Sequence, residues 1–294
     1  MAAGRPGIGA YINCGLLSVL PQHALSALMY RAARCRWRWF KNAFMRSIVR
    51  LYGVDLDEAA DPDFAHYDCF NAFFTRALKD GVRPVAGDPL AIVSPADGRV
   101  SQAGAIEDGM LLQAKGHHYS ALELLAGNKA EAERYHGGSF ATIYLSPKDY
   151  HRVHMPLSGR LLSMEFVPGD LYSVSDGTVQ LIPRLFARNE RVICHFEGEH
   201  GPFVVVLVGA IFVGSMQTVW HGEVRAPRHE VTRWTYTGEQ DVTLQRGEEL
   251  GRFNMGSTVI VLLPPAAAAW DAELQQGRAL RMGESIGTLR PPGA

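Results

Sequence analysis

From about residue 90 to its end, this chain is written in short β-branched runs, each closed by glycine or proline, a pattern that demands a sheet-built core. The runs are RVSQAGAI (99–106), SFATIYLS (139–146), RLLSMEFV (160–167), RVICHFE (191–197), PFVVVLVGAIFVG (202–214), VTRWTYT (231–237) and TVIVLLP (258–264). Residues 1–80 read instead as helices, ending in the apolar spacing of Phe70, Phe73, Phe74, Ala77 and Leu78. The expectation is an α+β chain: a helical region over 1–80, then a β-rich sandwich or barrel-like core over 81–294. Two short echoes inside that core predict repeated hairpins. Pro95–Val100 (PADGRV) resembles Pro156–Leu161 (PLSGRL), and Gly247–Gly251 (GEELG) resembles Gly283–Gly287 (GESIG). With 47% hydrophobic and 20% charged residues among 294, the chain is able to bury a full core.

Charge is distributed unevenly. Residues 1–54 hold eight Arg or Lys and no acid, leaving 21 basic against 30 acidic residues in the remainder. A basic segment of this kind points to an anionic surface, either nucleic acid or lipid headgroups. Trp37, Trp39, Phe40 and Phe44 interleave with Arg31, Arg34, Arg36, Arg38 and Lys41, which favours the headgroup boundary over nucleic acid. On a helix, Met29, Ala33, Trp37, Phe40, Phe44, Ile48 and Leu51 form one continuous apolar stripe, suited to lying in a membrane surface. The same stripe would equally pack on the protein's own core or on a second subunit. No run approaches the roughly 18 apolar residues of a spanning helix, and the early apolar stretch, interrupted by Asn13, does not read as a signal peptide. Cysteines at 14, 35, 69 and 194 lack the spacing of a disulfide framework or a zinc site, which suits a reducing compartment.

One tripeptide carries the chemistry. Ser257 follows an unhindered Gly256 in FNMGSTVIVLLP, so its hydroxyl has open access to the preceding carbonyl, although Gly-Ser-Thr also describes a turn entering a strand. An acid, Asp97 in SPADGRV, and two bases, His151 and His154 in SPKDYHRVHMP, precede it. Pro-Ala-Asp-Gly is also a good type I turn, which gives Asp97 a purely structural alternative. The His-x-x-His pair has no carboxylate or cysteine at ligand spacing, so no metal is expected. An Asp, His, Ser order fits a serine hydrolase too, but Gly-x-Ser-x-Gly is missing.

The strings FNAFFTRAL (70–78), VRP (82–84), PADG (95–98), LQAKGHHYS (112–120), YLSPKDYHRVHMP (144–156), VPGDLYSV (167–174), LFARNERV (185–192) and GRFNMGSTVI (251–260) together resemble the short, membrane-associated bacterial phosphatidylserine decarboxylases. Met255 departs from the leucine more usual there, a near-isosteric change. The resemblance implies self-cleavage between Gly256 and Ser257, giving a long chain (1–256) and a short chain (257–294) that stay together. Ser257 would become a pyruvoyl cofactor. It implies His154 as the base, oriented by Asp97, and His151 or His154 as the acid that returns a proton in turnover. Phosphatidylserine would be the substrate, at the cytoplasmic face of a bacterial membrane, with homodimerisation as a further implication. For Lys115, His117 and His118, headgroup binding and a surface loop remain equal alternatives.

Overall fold

The computed structural model describes residues 21–290, other than 115, 213 and 214, together with residue 15. Among the described residues the amino-terminal α-helices are α1 (Gln22–Ala33), α2 (Arg38–Tyr52) and α3 (Phe70–Phe74). The principal strands are β1 (Gly98–Ala105), β2 (Ser139–Leu145), β3 (Arg152–His154), β4 (Gly159–Val167), β5 (Arg191–Gly198), β6 (Gly201–Val208), β7 (Glu249–Phe253) and β8 (Ser257–Leu263).

A nine-stranded sheet organises the core, running Thr232–Thr235, β4, β5, β6, β8, β2, β1, Ala279–Leu280, with Thr243–Leu244 also on β4. Every neighbouring pair in it is antiparallel. β8 lies inside, where Val261 faces Ala141 of β2 on one side and Val205 of β6 on the other. All its residues are buried, and they alternate between two cores. Val259, Val261 and Leu263 join a cluster with Ile92, Val153, Leu250 and Phe253, contributed by two smaller sheets. Ile260 and Leu262 join Tyr119, Leu124, Tyr135 and Phe186, from a hairpin and short helices on the opposite face. A strand covered on both faces has no polar side to show, hence the unbroken apolar run of TVIVLLP. The α+β class and sandwich-like layering expected from the sequence are what is found.

The echoes prove to be two copies of one local arrangement. Gly98 and Gly159 open β1 and β4 after matching turns, while Gly247 and Gly283 share a φ of +85° that favours glycine. The Gly283 N–H bonds the Ser94 carbonyl, as the Gly247 N–H bonds that of Met155. The correspondence reaches side chains: Asp97 accepts from the Met282 N–H at 2.8 Å, and Ser158 from the Arg246 N–H at 2.9 Å.

The continuous amino-terminal stripe is corrected. The helix is interrupted between Ala33 and Arg38, where the N–H groups of Arg34 and Cys35 turn back to Arg31 and Ala32. Phe44 and Ile48 pack inward on Phe70, Phe73 and Phe74, with Phe44 stacked on Phe70 at 4.1 Å. Trp37, Trp39 and Leu51 are 68%, 70% and 73% exposed. Lys41 is buried, its ammonium donating to the carbonyls of Phe64, Ala65 and Tyr67. No described helix is long and apolar enough to cross a membrane.

Because Leu262 is fully buried in the central strand, Leu262→Ala should cost about 3 kcal/mol. In a Ser257→Ala background, which keeps the chain whole, this appears as a lower denaturation midpoint at unchanged slope.

Candidate active site

The end of β2 gathers the candidate groups. Leu145 pairs with Ser257 at the start of β8, while on the other edge Tyr144 pairs with Arg99, two residues after Asp97. The turn at Asp97 must press against this strand, and a Cβ on Gly98 would meet the Tyr144 carbonyl at 2.3 Å. β2 then leads through residues 146–150 to His151, and the His154 N–H bonds the Pro95 carbonyl at 2.7 Å. Backbone pairing alone thus brings three distant sequence strings together.

Ser257 is fully buried, and its hydroxyl has no hydrogen-bond partner among the described residues. His151 is the side chain that comes closest to Gly256: its Nε2 is 3.7 Å from the position a Cβ there would take, beside the Leu145 carbonyl at 3.5 Å. Its Nδ1 donates to the Asp149 carbonyl at 2.7 Å, so Nε2 carries the lone pair, and that nitrogen is also buried and unpartnered. The Phe74 ring closes over the imidazole at a centroid distance of 3.9 Å. Burial pushes the His151 pKa down to about 3. His154 shows the same tautomer: Nδ1 donates to the Gly247 carbonyl at 2.8 Å, and Nε2 accepts from the Tyr150 hydroxyl at 3.1 Å. Burial lowers its pKa as well, against the opposing charges of Glu249 and Asp97.

Asp97 has other partners than expected. Both its oxygens are taken by Arg83, through Nε at 2.8 and 3.1 Å and Nη2 at 2.6 Å, and Arg83 also reaches Glu58 at 2.6 Å. The expected Asp97–His154 hydrogen bond is not formed; the Gly247 carbonyl fixes the tautomer, and Asp97 acts on the imidazole only by its charge. No hydrogen bond joins Asp97, His154 and Ser257 to one another in this state of the chain.

Two cavities flank this centre. One, of about 390 Å³, is walled by Ile48 and Tyr52 of α2 with Phe70, Phe74, Met255 and Gly256. The other, of about 420 Å³, is polar and holds Arg76, Arg83, Asp97, Asp149 and Tyr150. An apolar chamber at Gly256 and a charged one at Asp97 suit an amphiphilic substrate.

Comparison with known proteins agrees. The family description "Phosphatidylserine decarboxylase" matches residues 70–288, and a second, described as "PSD", matches residues 13–53. A phosphatidylserine decarboxylase proenzyme of Methylococcus capsulatus is 53% identical over 92% of this chain and 94% of its own length. Proenzymes of the same name from Pseudomonas fluorescens (54% identical; 93% of this chain, 96% of the relative) and Pseudomonas entomophila (54%; 91% and 94%) are equally similar. This chain belongs to the phosphatidylserine decarboxylase family.

Within that family frame the remaining expected residues divide. His117 and His118 lie on the hairpin Met110–Ala114/His117–Ser120, half-buried and exposed, and neither touches Asp97, His151, His154 or Ser257. His118 lines a cavity beside Phe140, near the opposite end of β2 from Ser257, roughly 17 Å away along an extended strand. Lys115 lies outside the described residues. Sequence reasoning quoted the strings that contain Arg83, Tyr150 and Asn71 without reading their roles. Asn71 donates to Asn254 at 3.0 Å and so ties α3 to the segment entering Gly256.

The two neutral histidines make stability depend on pH. Below about 6.5 the unfolded chain protonates both, whereas folded His151 resists down to about 3 and His154 is also lowered. The unfolded state therefore binds more protons in that window, and stability is lost as pH falls through it, by about 1.4 kcal/mol per pH unit for His151 well below 6.5, with His154 contributing in the same direction. Denaturation midpoints of the Ser257→Ala protein at pH 7 and pH 5 should show this drop, and His151→Gln should make it shallower.

Proposed function

We propose that this chain is a proenzyme that cuts itself between Gly256 and Ser257 and then decarboxylates phosphatidylserine to phosphatidylethanolamine. The observation that carries the reading is a buried, unpartnered serine hydroxyl next to a glycine that the buried, equally unpartnered Nε2 of His151 approaches. In self-cleavage, Ser257 Oγ adds to the Gly256 carbonyl while His154 takes its proton, and the amide C–N bond breaks to leave an ester. The charges of Asp97 and Glu249 favour the imidazolium that forms. Loss of the Ser257 Cα proton then expels the Gly256 carboxylate, leaving dehydroalanine, which water converts to a pyruvoyl group with release of ammonia. Residues 257–294 stay in place because β8 is paired on both sides.

The site fits that cofactor: its origin, Ser257, is buried beside a cavity large enough for a headgroup. When formed, the pyruvoyl group supplies an electron sink for the bond that releases carbon dioxide. His151 Nε2 is placed to return the proton, and the substrate's anionic groups favour the charged imidazole that does so. Ile48 and Tyr52 of α2 wall the apolar cavity, while Trp39 and Leu51 of the same helix are exposed beside Arg38, Arg46 and Arg50. One helix thus faces a lipid surface and the reaction centre together, which supports peripheral attachment at the cytoplasmic face of a cell membrane, with the helical region ending near residue 80.

Intact mass under denaturing conditions should give two chains, 1–256 and a pyruvoyl-blocked 257–294, and a single chain for Ser257→Ala. His154→Ala should stay whole, and His151→Ala should cleave but release no carbon dioxide. The reverse pattern would exchange the two histidines, a reading favoured by His151 being the closer to Gly256. A single chain from the unaltered, folded protein would remove the cofactor and leave a serine hydrolase.

Trp37→Ala/Trp39→Ala should weaken sedimentation with vesicles containing anionic lipid several-fold, with self-cleavage unchanged. Equal binding by both proteins would place the lipid contact elsewhere.

A further inference from the structure

Arg76 is buried, with 5% of its surface exposed, and among the described residues it forms no ion pair and no side-chain hydrogen bond. Its Nε is sealed and unpartnered, and the Phe73 ring lies under the guanidinium with its centroid 5.3 Å away. Leaving a guanidinium in this condition is costly, because its desolvation is answered only at a distance, by the charges of Asp97, Glu58 and Asp55, with no carboxylate in contact. Its neighbours show the usual remedies. Arg83 is clamped by Asp97 and Glu58, and Arg152 is paired with Glu249. Arg191, the other buried arginine without a carboxylate, donates to the carbonyls of Glu123, Leu124, Ala187 and Asn189. Arg76 has neither remedy, yet it lines the polar cavity that holds Asp97 and Tyr150. It follows two residues after Phe74, the ring that covers His151, and its charge is felt by that imidazole.

We infer that Arg76 is an anion-binding residue of the active site, and that its ligand is the phosphodiester of the substrate headgroup. This rests on the decarboxylase reading above. A phosphatidylserine headgroup brings two oxyanions, the carboxylate and the phosphate. A cation fixed on the carboxylate would hold the ground state more tightly than the transition state, in which that charge is leaving. The phosphate keeps its charge throughout the reaction and is matched by the planar fork of a guanidinium. Binding it gives the guanidinium the hydrogen-bonded partner it lacks and holds the amine toward the residue derived from Ser257.

The test compares the processed parent with Arg76→Met and Arg76→Lys, using phosphatidylserine in mixed micelles and two soluble probes. Glycerophosphoethanolamine has the phosphodiester and amine without the carboxylate, and free serine has the carboxylate and amine without the phosphate. For Arg76→Met, KM for phosphatidylserine and the inhibition constant of glycerophosphoethanolamine should both rise about tenfold or more, with the effect of serine unchanged. Arg76→Lys, which keeps the charge but not the fork, should fall between. If Arg76→Met does not fold, Arg76→Lys decides alone: a KM and inhibition constant within twofold of the parent overturn the assignment. A rise in KM with unchanged glycerophosphoethanolamine inhibition overturns it in favour of the carboxylate. Calorimetric binding of glycerophosphoethanolamine to parent and variants separates this from the parent reading. A parent that releases no carbon dioxide sinks the decarboxylase activity, whereas equal binding by parent and Arg76→Met sinks the role of Arg76.

Discussion

The pairing of β8 on both edges is the constraint on which the rest depends. Ser257 is the first residue of a strand that runs between β6 and β2 and is covered above and below, so the reactive bond lies at the mouth of the most enclosed segment in the fold. Most of the stabilisation of that segment comes from apolar burial, which does not require the chain to be continuous. A cut at Gly256 therefore separates covalent connectivity from structure. The buried strand keeps its register, and the new terminus is held where the serine was. Self-cleavage at a loop tip would free an end to wander, whereas the proposed cut at Gly256 would leave an end that the surrounding sheet retains.

Electrostatics around this point is set by burial more than by pairing. His151 and His154 are neutral because they are enclosed, and carbonyls of Asp149 and Gly247 choose their tautomers. The charged residues are sorted to one side, with Arg83 bridging Glu58 and Asp97. Glu58 belongs to the connection that follows α2, so the arginine links the amino-terminal helices to the acid of the site. Asn71 and Asn254 make a second such link, and Met255 packs with the Phe70 cluster as a third. The helices are thus part of the wall of the reaction centre.

Much of this was legible in the sequence for identifiable reasons. The strand runs were readable because they are β-branched and bounded by turn residues. PFVVVLVGAIFVG was read too long, since β6 ends at Val208 and the Gly209 N–H turns to the Glu190 carbonyl. The strands of the smaller sheets, such as β7 in GEELGRF, escaped notice because they are short and carry charges whose partners come from other strings. The break before Arg38 was invisible because the apolar spacing continues through it and no proline or glycine marks it. The partner of Asp97 was misjudged for a related reason. Motif order brings acid, base and hydroxyl to mind as a chain of contacts, whereas the choice between His154 and Arg83 is made in three dimensions by a guanidinium fourteen positions upstream.

The duplicated turn has a wider meaning. Asp97 and Ser158 occupy equivalent places, each receiving a backbone N–H from the residue before a left-handed glycine, and each opening a strand of the same sheet. One of the pair sits in the reactive centre; the other lies beside Gln245 and Arg246 near the surface. The molecule therefore contains a twin of the corner that holds Asp97, alike in backbone and different in side chain. That twin is an internal reference: whatever the two corners share belongs to holding the barrel-like layers together, and only what they do not share needs chemistry to explain it.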